Sequence, residues 1–296
     1  MTLAFYAAAA DDAFWREHWG AHSTGALLAI AERSPLTRLI LDALPERGRV
    51  LEAGCGPAQY VVLLRRAGRA TLGVDFTVEP LARCRREFPA TPLAAMDLRA
   101  LGLAPASVAA YVSLGVVEHD PDGPDAILRE ARRVLAPGGV LVLSVPYVNG
   151  ARRLGAPWIR RSQRRIHEGG GEFYQFAFSR AEGRAFLERH GFEVRCAVPY
   201  DPARLLRGAW RRLARSIGGG HAVRTEAATA GVRSGASRGG AAGATARAAA
   251  VQGPGAVSSD NGTRDSVARA AVKRALYSRP ALALLGHMIL FVAVKR

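Results

Sequence analysis

The feature that most constrains the chain is the stretch 50–60, where two apolar residues lead into an acid and then into a Gly-Cys-Gly turn. A helix-like apolar run follows at 61–64. This order predicts a buried strand, a tight loop and a helix whose N-terminus points back over the strand. Glycine lets a ligand approach the loop backbone, and the free N–H groups of a helix N-terminus favour a polar or anionic group. We therefore expect a ligand crevice at the carboxyl edge of an open α/β sheet.

Two ligand classes are compatible with this loop. A dinucleotide site has the pattern G-x-G-x-x-G, but Gln59 stands where its third glycine belongs. An S-adenosylmethionine site has an acid ahead of the glycines, and Glu52 precedes Gly54 by two residues, with Gly56 following. The loop favours the second class, although a lone Gly-x-Gly also occurs in ordinary turns.

Two later apolar runs end in acids in the same way. The run 71–75 ends at Asp75, which lies 21 residues after Gly54, and the run 93–97 ends at Asp97. An acid at this distance and at a strand end can accept both ribose hydroxyls of a nucleoside. Asp97 is placed to accept from an adenine amino group, with Leu98 packing against the ring. Parallel strands would bring these side chains to one shared edge.

Five segments in order carry a family resemblance: E-A-G-C-G at 52–56, V-D at 74–75, M-D-L at 96–98, S-L-G-V-V-E-H at 113–119 and L-A-P-G-G-V-L-V-L-S-V-P at 135–146. Over residues 48–148 the chain resembles the class I S-adenosylmethionine-dependent methyltransferases, in particular their type 11 group. It departs from their pattern at Ala58, in place of a glycine, and at Ala109 and Ala110, where an acid is common.

The resemblance implies an α/β fold, with a Rossmann-like, seven-stranded, mostly parallel sheet, helices on both faces and an antiparallel last strand. It implies S-adenosyl-L-methionine as cofactor, with the loop glycines along its methionine moiety and Asp75 at its ribose. The expected cofactor-binding residues are Glu52, Gly54, Gly56, Gln59, Asp75, Asp97, Leu98 and Leu114.

The chain divides into a core and two additions. Residues 1–47 are helical in pattern and predict an N-terminal helical cap, whose aromatic residues Phe14, Trp15 and Trp19 pack over the sheet or form a lid over the crevice. Residues 48–201 and 281–296 form the core. In it we expect a turn at 137–139, an irregular basic stretch at 155–171 and a buried strand in the apolar run 281–294. The last strand, near 288–294, is expected to pair with the strand at 192–198.

Residues 202–280 form a basic insertion with two helical segments, 205–217 and 267–277. Its stretch 218–262, rich in Ala, Gly, Ser and Thr and without aromatic residues, predicts a disordered tether. The insertion holds thirteen arginines and one lysine against three acids, and 152–168 holds six arginines against one acid. These segments account for most of the net charge of +16.

The uneven charge bears on partners and location. Because the core is close to neutral, nucleic acid is not favoured as a partner. The arginines are either a solvated surface or favour an anionic acceptor or peripheral membrane contact through the insertion, near Trp210. Three widely spaced cysteines and no signal-peptide pattern predict a cytoplasmic protein, with the inner membrane face as the alternative. No metal-ligand spacing is present, and the oligomeric state is left open.

Methyl transfer mainly requires alignment of an acceptor and exclusion of water, and a hydroxyl acceptor also benefits from a general base. His119, directly after the fourth strand, is the leading candidate; Tyr147 is the second, and His167 and Tyr174 are weaker. We expect O-methylation of a small-molecule or glycan-like acceptor by in-line displacement. The alternatives are an RNA or protein methyltransferase, a non-catalytic cofactor-binding scaffold and a nicotinamide oxidoreductase.

Overall fold

Strands alternate with helices along the chain, as the apolar runs predict. The computed structural model describes residues 1–202 and 274–296. The strands are β1 (Leu3–Ala7), β2 (Arg49–Ala53), β3 (Ala70–Asp75), β4 (Leu93–Ala95), β5 (Val108–Leu114), β6 (Leu135–Pro146), β7 (Glu172–Ala177), β8 (Phe192–Tyr200) and β9 (Met288–Lys295). The helices are α1 (Asp12–Gly20), α2 (Thr24–Ala31), α3 (Pro35–Ala43), α4 (Gln59–Arg66), α5 (Val78–Glu87), α6 (Asp125–Val134), α7 (Gly150–Leu154), α8 (Ala156–Glu168), α9 (Arg180–Arg189) and α10 (Arg279–Leu285), with a 3₁₀ turn at Val117–His119.

Seven strands form the central sheet in the order β4-β3-β2-β5-β6-β9-β8. The pairs from β4 to β6 are parallel, whereas β9 is antiparallel to both of its neighbours. The predicted Rossmann-like sheet with an antiparallel last strand is therefore confirmed. Because the strand order reverses between β2 and β5, a crevice opens there at the carboxyl ends.

Both faces of the sheet are covered by helices, which explains why its strands are apolar at successive positions. In β2, Val50 packs into a cluster with Ile40 of α3 and Leu64 of α4. Its neighbour Leu51 points to the other face, in a cluster with Leu128 of α6. All five side chains are at most 1% exposed. These elements belong to one compact unit.

The prediction that residues 1–47 are helical is wrong at one place. Strand β1 occupies the start of this region and pairs antiparallel with β7 in a separate two-stranded sheet, with Leu3 opposite Ala177. The pairing joins segments far apart in the sequence, and a five-residue strand gives little periodic signal of its own. Helices α1, α2 and α3 account for most of the remaining cap region.

The stretch 155–171, predicted to be irregular, is mostly helix α8. Ala156 is buried and Ile159 is packed in a small cluster with Leu3, so the helix has one apolar side that rests on β1. The Oε1 atom of Gln163 accepts a hydrogen bond from the Tyr6 N–H at 2.8 Å. The many arginines conceal this side in the sequence, because only a few apolar residues are needed against a two-stranded sheet.

The apolar run 281–294 is also corrected, since it is not one strand. Its first part belongs to α10, which begins beside Pro280 and ends at Gly286, and β9 starts at Met288. The predicted turn at 137–139 lies within the span of β6 as an irregularity in its pairing with β5, and Gly138 has φ +72°.

The insertion lies largely outside the described residues, including the predicted helix 205–217, the predicted tether 218–262 and Trp210. Of the predicted helix 267–277 only its end is described, and residues 274–276 are helical. Among the helices that are described, none has the length and apolar character needed to cross a membrane.

Candidate cofactor and acceptor site

A cavity of about 400 Å³ opens at the carboxyl edge of the sheet. Its walls come from the loops after β2, β3, β4 and β5 and from helix α1. Of the predicted site residues, the lining includes Gly54, Gly56, Asp75, Asp97, Leu98, Leu114 and His119. The structure thus brings most of the predicted site together, whereas Glu52, Gln59 and Tyr147 are not in the lining.

The loop after β2 needs both of its glycines. Gly54 has φ +77°, and a Cβ atom there would lie 2.5 Å from Val116 Cγ2. Gly56 has φ +49°, and a Cβ atom there would lie 3.1 Å from Trp19 Cε2. The positive φ angles are unfavourable for residues with side chains, and the close neighbours leave no room for one. The loop backbone is consequently bare on the cavity side.

Asp75 fixes this loop to the next one. Its Oδ2 atom accepts from the Gly56 N–H at 2.8 Å, and its Oδ1 atom accepts from the Thr77 N–H at 2.9 Å. Burial raises the pKa of the Asp75 carboxyl, and the backbone hydrogen bonds oppose that rise. Because each carboxylate oxygen can accept a second hydrogen bond, both remain able to receive a ligand hydroxyl.

Asp97 lies two residues beyond the end of β4, at the more open side of the cavity. It forms an ion pair with Arg99, with Oδ2 and Nη2 2.8 Å apart, which lowers the pKa of the Asp97 carboxyl. The side chains of this pair are about half exposed. Leu98, 6% exposed, and Leu114 provide apolar walls. A carboxylate next to two apolar walls suits a flat ring that has a polar edge.

Glu52 and Gln59 lie next to the cavity wall without forming it. Glu52 is 3% exposed, and burial raises its pKa well above the usual range, with the charge of Asp75 adding to the rise. Its Oε2 atom has no hydrogen-bond partner in the structure as described, and neither has Oε1 of Gln59. A buried acceptor without a partner beside a bare loop is what a cofactor ammonium group, directly or through water, would satisfy.

His119 is held with one ring nitrogen engaged and the other available. Its Nδ1 atom lies 2.7 Å from the main-chain oxygen of Tyr174 and must donate to it, since a carbonyl oxygen only accepts. In the neutral ring Nε2 then carries the lone pair. Burial lowers the pKa of His119 to about 4, opposed by the hydrogen bond to Tyr174. The imidazole is therefore neutral at pH 7, and its Nε2 atom is available as a hydrogen-bond acceptor.

The other predicted acid–base candidates are placed differently. Tyr147 lies outside the cavity because its N–H donates to the His287 oxygen at 2.9 Å and its side chain packs against the main core. His167 is exposed and its ring packs on Tyr6, with centroids 4.5 Å apart. Tyr174 is not in the cavity lining either, although its ring lies 5.0 Å from that of His119.

The aromatic residues of α1 form the outer wall of the cavity. No residue of α1 is buried, so this helix does not pack over the sheet as first expected. Trp15 and Trp19 line the cavity instead, and the Trp15 ring lies 4.8 Å from that of His119. The second interpretation, a lid, therefore fits the structure better. The spacing of these aromatic residues in the sequence indicates that they share one face of the helix, but it does not indicate whether that face contacts the sheet or the cavity.

Arg83 of α5 holds the end of this lid. Its Nη1 atom donates to the main-chain oxygens of Trp19 and Gly20 at 2.9 Å and of His22 at 3.1 Å. We expect Arg83→Ala to weaken S-adenosylhomocysteine binding about three- to tenfold, because three carbonyls lose a charged donor. Titration calorimetry measures this effect. Arg86→Ala, which replaces an exposed arginine of the same helix, is the control. Equal effects of both variants on binding would contradict the role of Arg83 in holding the end of α1.

Residues 51–143 match the family model described as a methyltransferase domain. The chain is 36% identical over 97 residues to a probable S-adenosylmethionine-dependent methyltransferase of Mycolicibacterium smegmatis, covering 33% of this chain and 37% of that protein. It is 31% identical over 133 residues to a malonyl-[acyl-carrier protein] O-methyltransferase of Enterobacter lignolyticus, covering 43% of this chain and 53% of that protein. The matched region thus spans about a third to a half of these relatives.

The crystal structure of an S-adenosylmethionine dependent methyltransferase from Mesorhizobium loti has the same fold, with a TM-score of 0.52 at 16% identity over 90% of this chain and 100% of that one. Fold and cavity define a Rossmann-like α/β protein with a ligand site at the point where strand order reverses. Residues 51–143 thus match a methyltransferase domain, and the relatives that share this region support a class I S-adenosylmethionine-dependent domain with S-adenosyl-L-methionine as its cofactor. The bare glycine loop and the unpartnered Glu52 oxygen fit this cofactor.

Proposed function

We propose that the protein transfers a methyl group from S-adenosyl-L-methionine to an oxygen of a small-molecule or glycan-like acceptor by in-line displacement. The observation that carries the proposal is the state of His119 in the cavity wall. Its Nδ1–H is tied to Tyr174, and Nε2 is left as an acceptor. A neutral imidazole in this arrangement can receive the proton that a hydroxyl acceptor loses.

The roles of the chain follow from the site geometry. When bound, the cofactor supplies an activated methyl group. Gly54, Gly56 and Asp75 hold it through bare backbone and a carboxylate that is already oriented by two N–H donors. Trp15 and Trp19 cover the cavity and exclude water, which helps to align the acceptor and prevents hydrolysis.

The lining narrows the acceptor class. Besides Asp75, which holds the cofactor, and Asp97, which is paired with Arg99, two further aspartates line the cavity, Asp11 and Asp120. This charge balance favours a neutral or cationic acceptor over the anionic acceptor that the arginine-rich segments suggested. The aromatic rings around His119 favour an acceptor with an apolar or ring-shaped face. The name of the malonyl-[acyl-carrier protein] relative supports oxygen as the methylated atom.

A turnover assay tests the proposal. Labelled S-adenosyl-L-methionine is incubated with the full chain and panels of hydroxyl, amine and thiol acceptors, and transfer of label is measured. We expect hydroxyl compounds to be labelled. Cofactor binding without any turnover would support a non-catalytic scaffold, and labelling of RNA or protein alone would support the macromolecular alternative.

His119→Gln tests the proton acceptor. We expect kcat to fall on the order of 100-fold or more, because general base catalysis contributes about 10²–10⁴-fold, while cofactor affinity changes little. His190→Gln is a matched control, since Nδ1 of His190 also lies 2.7 Å from a main-chain oxygen, that of Phe186, but outside the cavity. Unchanged turnover in His119→Gln would show that the proton leaves by another route.

The pH dependence of His119 is a separate prediction. Its pKa of about 4 means that the ring stays neutral, and Nε2 stays available, until the pH falls towards 4. The base is therefore active above this value and is lost by protonation below it. NMR titration of the imidazole protons, assigned with His119→Gln, measures it. Titration of His119 near its ordinary pKa of 6.5 would contradict the buried, neutral state.

A further inference from the structure

A second surface of the protein lies on helices α7 and α8, outside the cavity. Six arginines and a single acid, Glu168, occupy residues 150–168. Five of the arginines are exposed, and none of the five forms an ion pair with another described residue: Arg153, Arg160, Arg161, Arg164 and Arg165. A dense cationic surface without internal counter-charges requires an anionic partner or remains solvated.

The same surface also exposes large apolar side chains. Leu154 is 83% exposed and Trp158 is 70% exposed, four residues further along. The two helices meet at Gly155, whose N–H donates to the Ala151 oxygen at 3.0 Å and whose oxygen accepts from the Ile159 N–H at 2.9 Å. Leu154 and Trp158 therefore lie close together in the chain, one on each side of Gly155, and both are exposed.

Helix α10 extends this apolar area. Leu284 is 46% exposed, and its Cδ1 atom would lie 2.8 Å from a Cβ atom at Gly150, one turn before Leu154. The phosphate backbone of a nucleic acid offers charges to the arginines but no continuous apolar phase for exposed leucines. A surface that presents leucine and tryptophan among arginines instead matches the boundary between lipid headgroups and acyl chains.

A depression between the arginines gives the surface a place for a phosphate group. It has a volume of about 400 Å³ and is lined by Trp158, Arg161, Ser162 and Arg165. Two guanidinium groups and a hydroxyl can bind phosphate oxygens, and guanidinium is the group best suited to do so with paired hydrogen bonds. The tryptophan provides an apolar wall towards the lipid.

The inner side of α8 holds this surface in place. The Oε1 atom of Gln163 accepts from the Tyr6 N–H at 2.8 Å, Ala156 is buried, and the His167 ring packs on that of Tyr6. Since the helix is anchored on β1, its outer side is already formed before any partner arrives, which lowers the entropic cost of binding.

We propose that the outer side of α7 and α8, together with Leu284 of α10, docks on an anionic phospholipid bilayer, with a lipid phosphate between Arg161 and Arg165 and with Leu154 and Trp158 inserted at the headgroup boundary. This surface is different from the insertion, which lies outside the described residues. The proposal does not depend on the methyl-transfer reaction.

Vesicle sedimentation of the full chain tests the proposal. We expect binding to vesicles of phosphatidylcholine with phosphatidylglycerol and weak binding to phosphatidylcholine alone. Arg161→Gln/Arg165→Gln should weaken binding to the anionic vesicles by about 10–30-fold, because each charge near an anionic surface contributes roughly fivefold. Leu154→Ser/Trp158→Ser should weaken it by a similar factor, with an unchanged melting temperature in both variants. Arg38→Gln/Arg86→Gln, two exposed arginines on α3 and α5, is the matched control.

The outcomes that overturn the proposal are distinct. One is equal binding of the wild type to both kinds of vesicle. Another is an Arg161→Gln/Arg165→Gln variant that binds anionic vesicles as the wild type does. Vesicle binding would then not depend on this surface and would come from another part of the chain, such as the insertion. A third is a variant that loses affinity for single-stranded RNA but keeps its affinity for vesicles, which would identify a nucleic-acid surface.

Quenching of Trp158 fluorescence by brominated lipid, compared with Trp158→Phe, gives an independent readout: loss of quenching in that variant supports insertion, and unchanged quenching contradicts it.

Discussion

Replacing Asp75 by alanine is expected to weaken S-adenosylhomocysteine binding by about 10–100-fold, which corresponds to roughly 1.4–2.8 kcal/mol. The Asp75 carboxylate accepts from the N–H groups of Gly56 and Thr77, at 2.8 and 2.9 Å. Without it, two buried donors lose their acceptor, the glycine loop loses its connection to the loop after β3, and the ligand loses a hydroxyl acceptor. Titration calorimetry measures the change in affinity directly.

Two further variants make this prediction specific. Asp75→Asn retains one carbonyl oxygen and should show an intermediate loss. Asp42→Ala removes an exposed acid of α3 whose distance to Arg38 is 3.5 Å and should leave binding unchanged. If Asp75→Ala bound as tightly as the wild type, Asp75 would not be at the cofactor, and the proposed position of the ribose would be wrong.

Replacing Glu118 by glutamine is expected to stabilise the protein by on the order of 2–3 kcal/mol at pH 7. Glu118 is 1% exposed, its Oε2 atom has no hydrogen-bond partner in the described structure, and burial raises its pKa to about 8. At neutral pH the unfolded chain holds this carboxyl ionised, whereas the fold takes up a proton to accommodate it. Glutamine has a similar shape and avoids that cost.

The sign of the pH dependence distinguishes this cause from improved packing. Because the folded pKa is raised, the contribution of Glu118 to the stability of the wild type is fully present below about pH 4.5 and is lost as the pH rises through about 8. The gain in Glu118→Gln should therefore vanish near pH 4.5 and grow with pH. Urea unfolding at several pH values measures it, and a gain that does not vary with pH would contradict the prediction.

Glu130→Gln provides a control of opposite sign. The pKa of Glu130 is lowered by its pairing with Arg133, whose Nε atom lies 2.7 Å from Oε1, and Glu130 also accepts from the Leu101 N–H at 2.8 Å. Removing that charge should destabilise the protein at pH 7. A similar gain in both variants would indicate a general effect of reduced charge.

The central sheet, and the part of the site at the carboxyl ends of its strands, could be predicted because the sequence patterns that indicate them are local. Each parallel strand buried on both faces is an apolar run, and an acid at the end of such a run must lie at the carboxyl edge. Asp75 and Asp97 could be placed for this reason. Glu52 satisfies the same pattern but lies inside β2 and not beyond its end, so it supports the loop from behind the cavity wall.

The part of the site formed by α1 and by the surroundings of His119 depends on contacts between distant segments, which the sequence does not display. Pairing of β1 with β7 brings Tyr174 to His119, and no local pattern joins these distant segments. The aromatic face of α1 was recognisable, but its partner is a cavity whose position depends on the assembled sheet. Tyr147 follows β6 at the correct edge, yet its main-chain bond to His287 holds it elsewhere.

The central claim is that the crevice at the reversal of strand order holds S-adenosyl-L-methionine. Equilibrium titration of the full chain with S-adenosylhomocysteine and, separately, with NADH tests it most directly. We predict saturable binding of S-adenosylhomocysteine that is weakened in Asp75→Ala, and no binding of NADH in the same concentration range. Preferential binding of NADH, itself sensitive to Asp75→Ala, would contradict the claim and identify the crevice as a dinucleotide site.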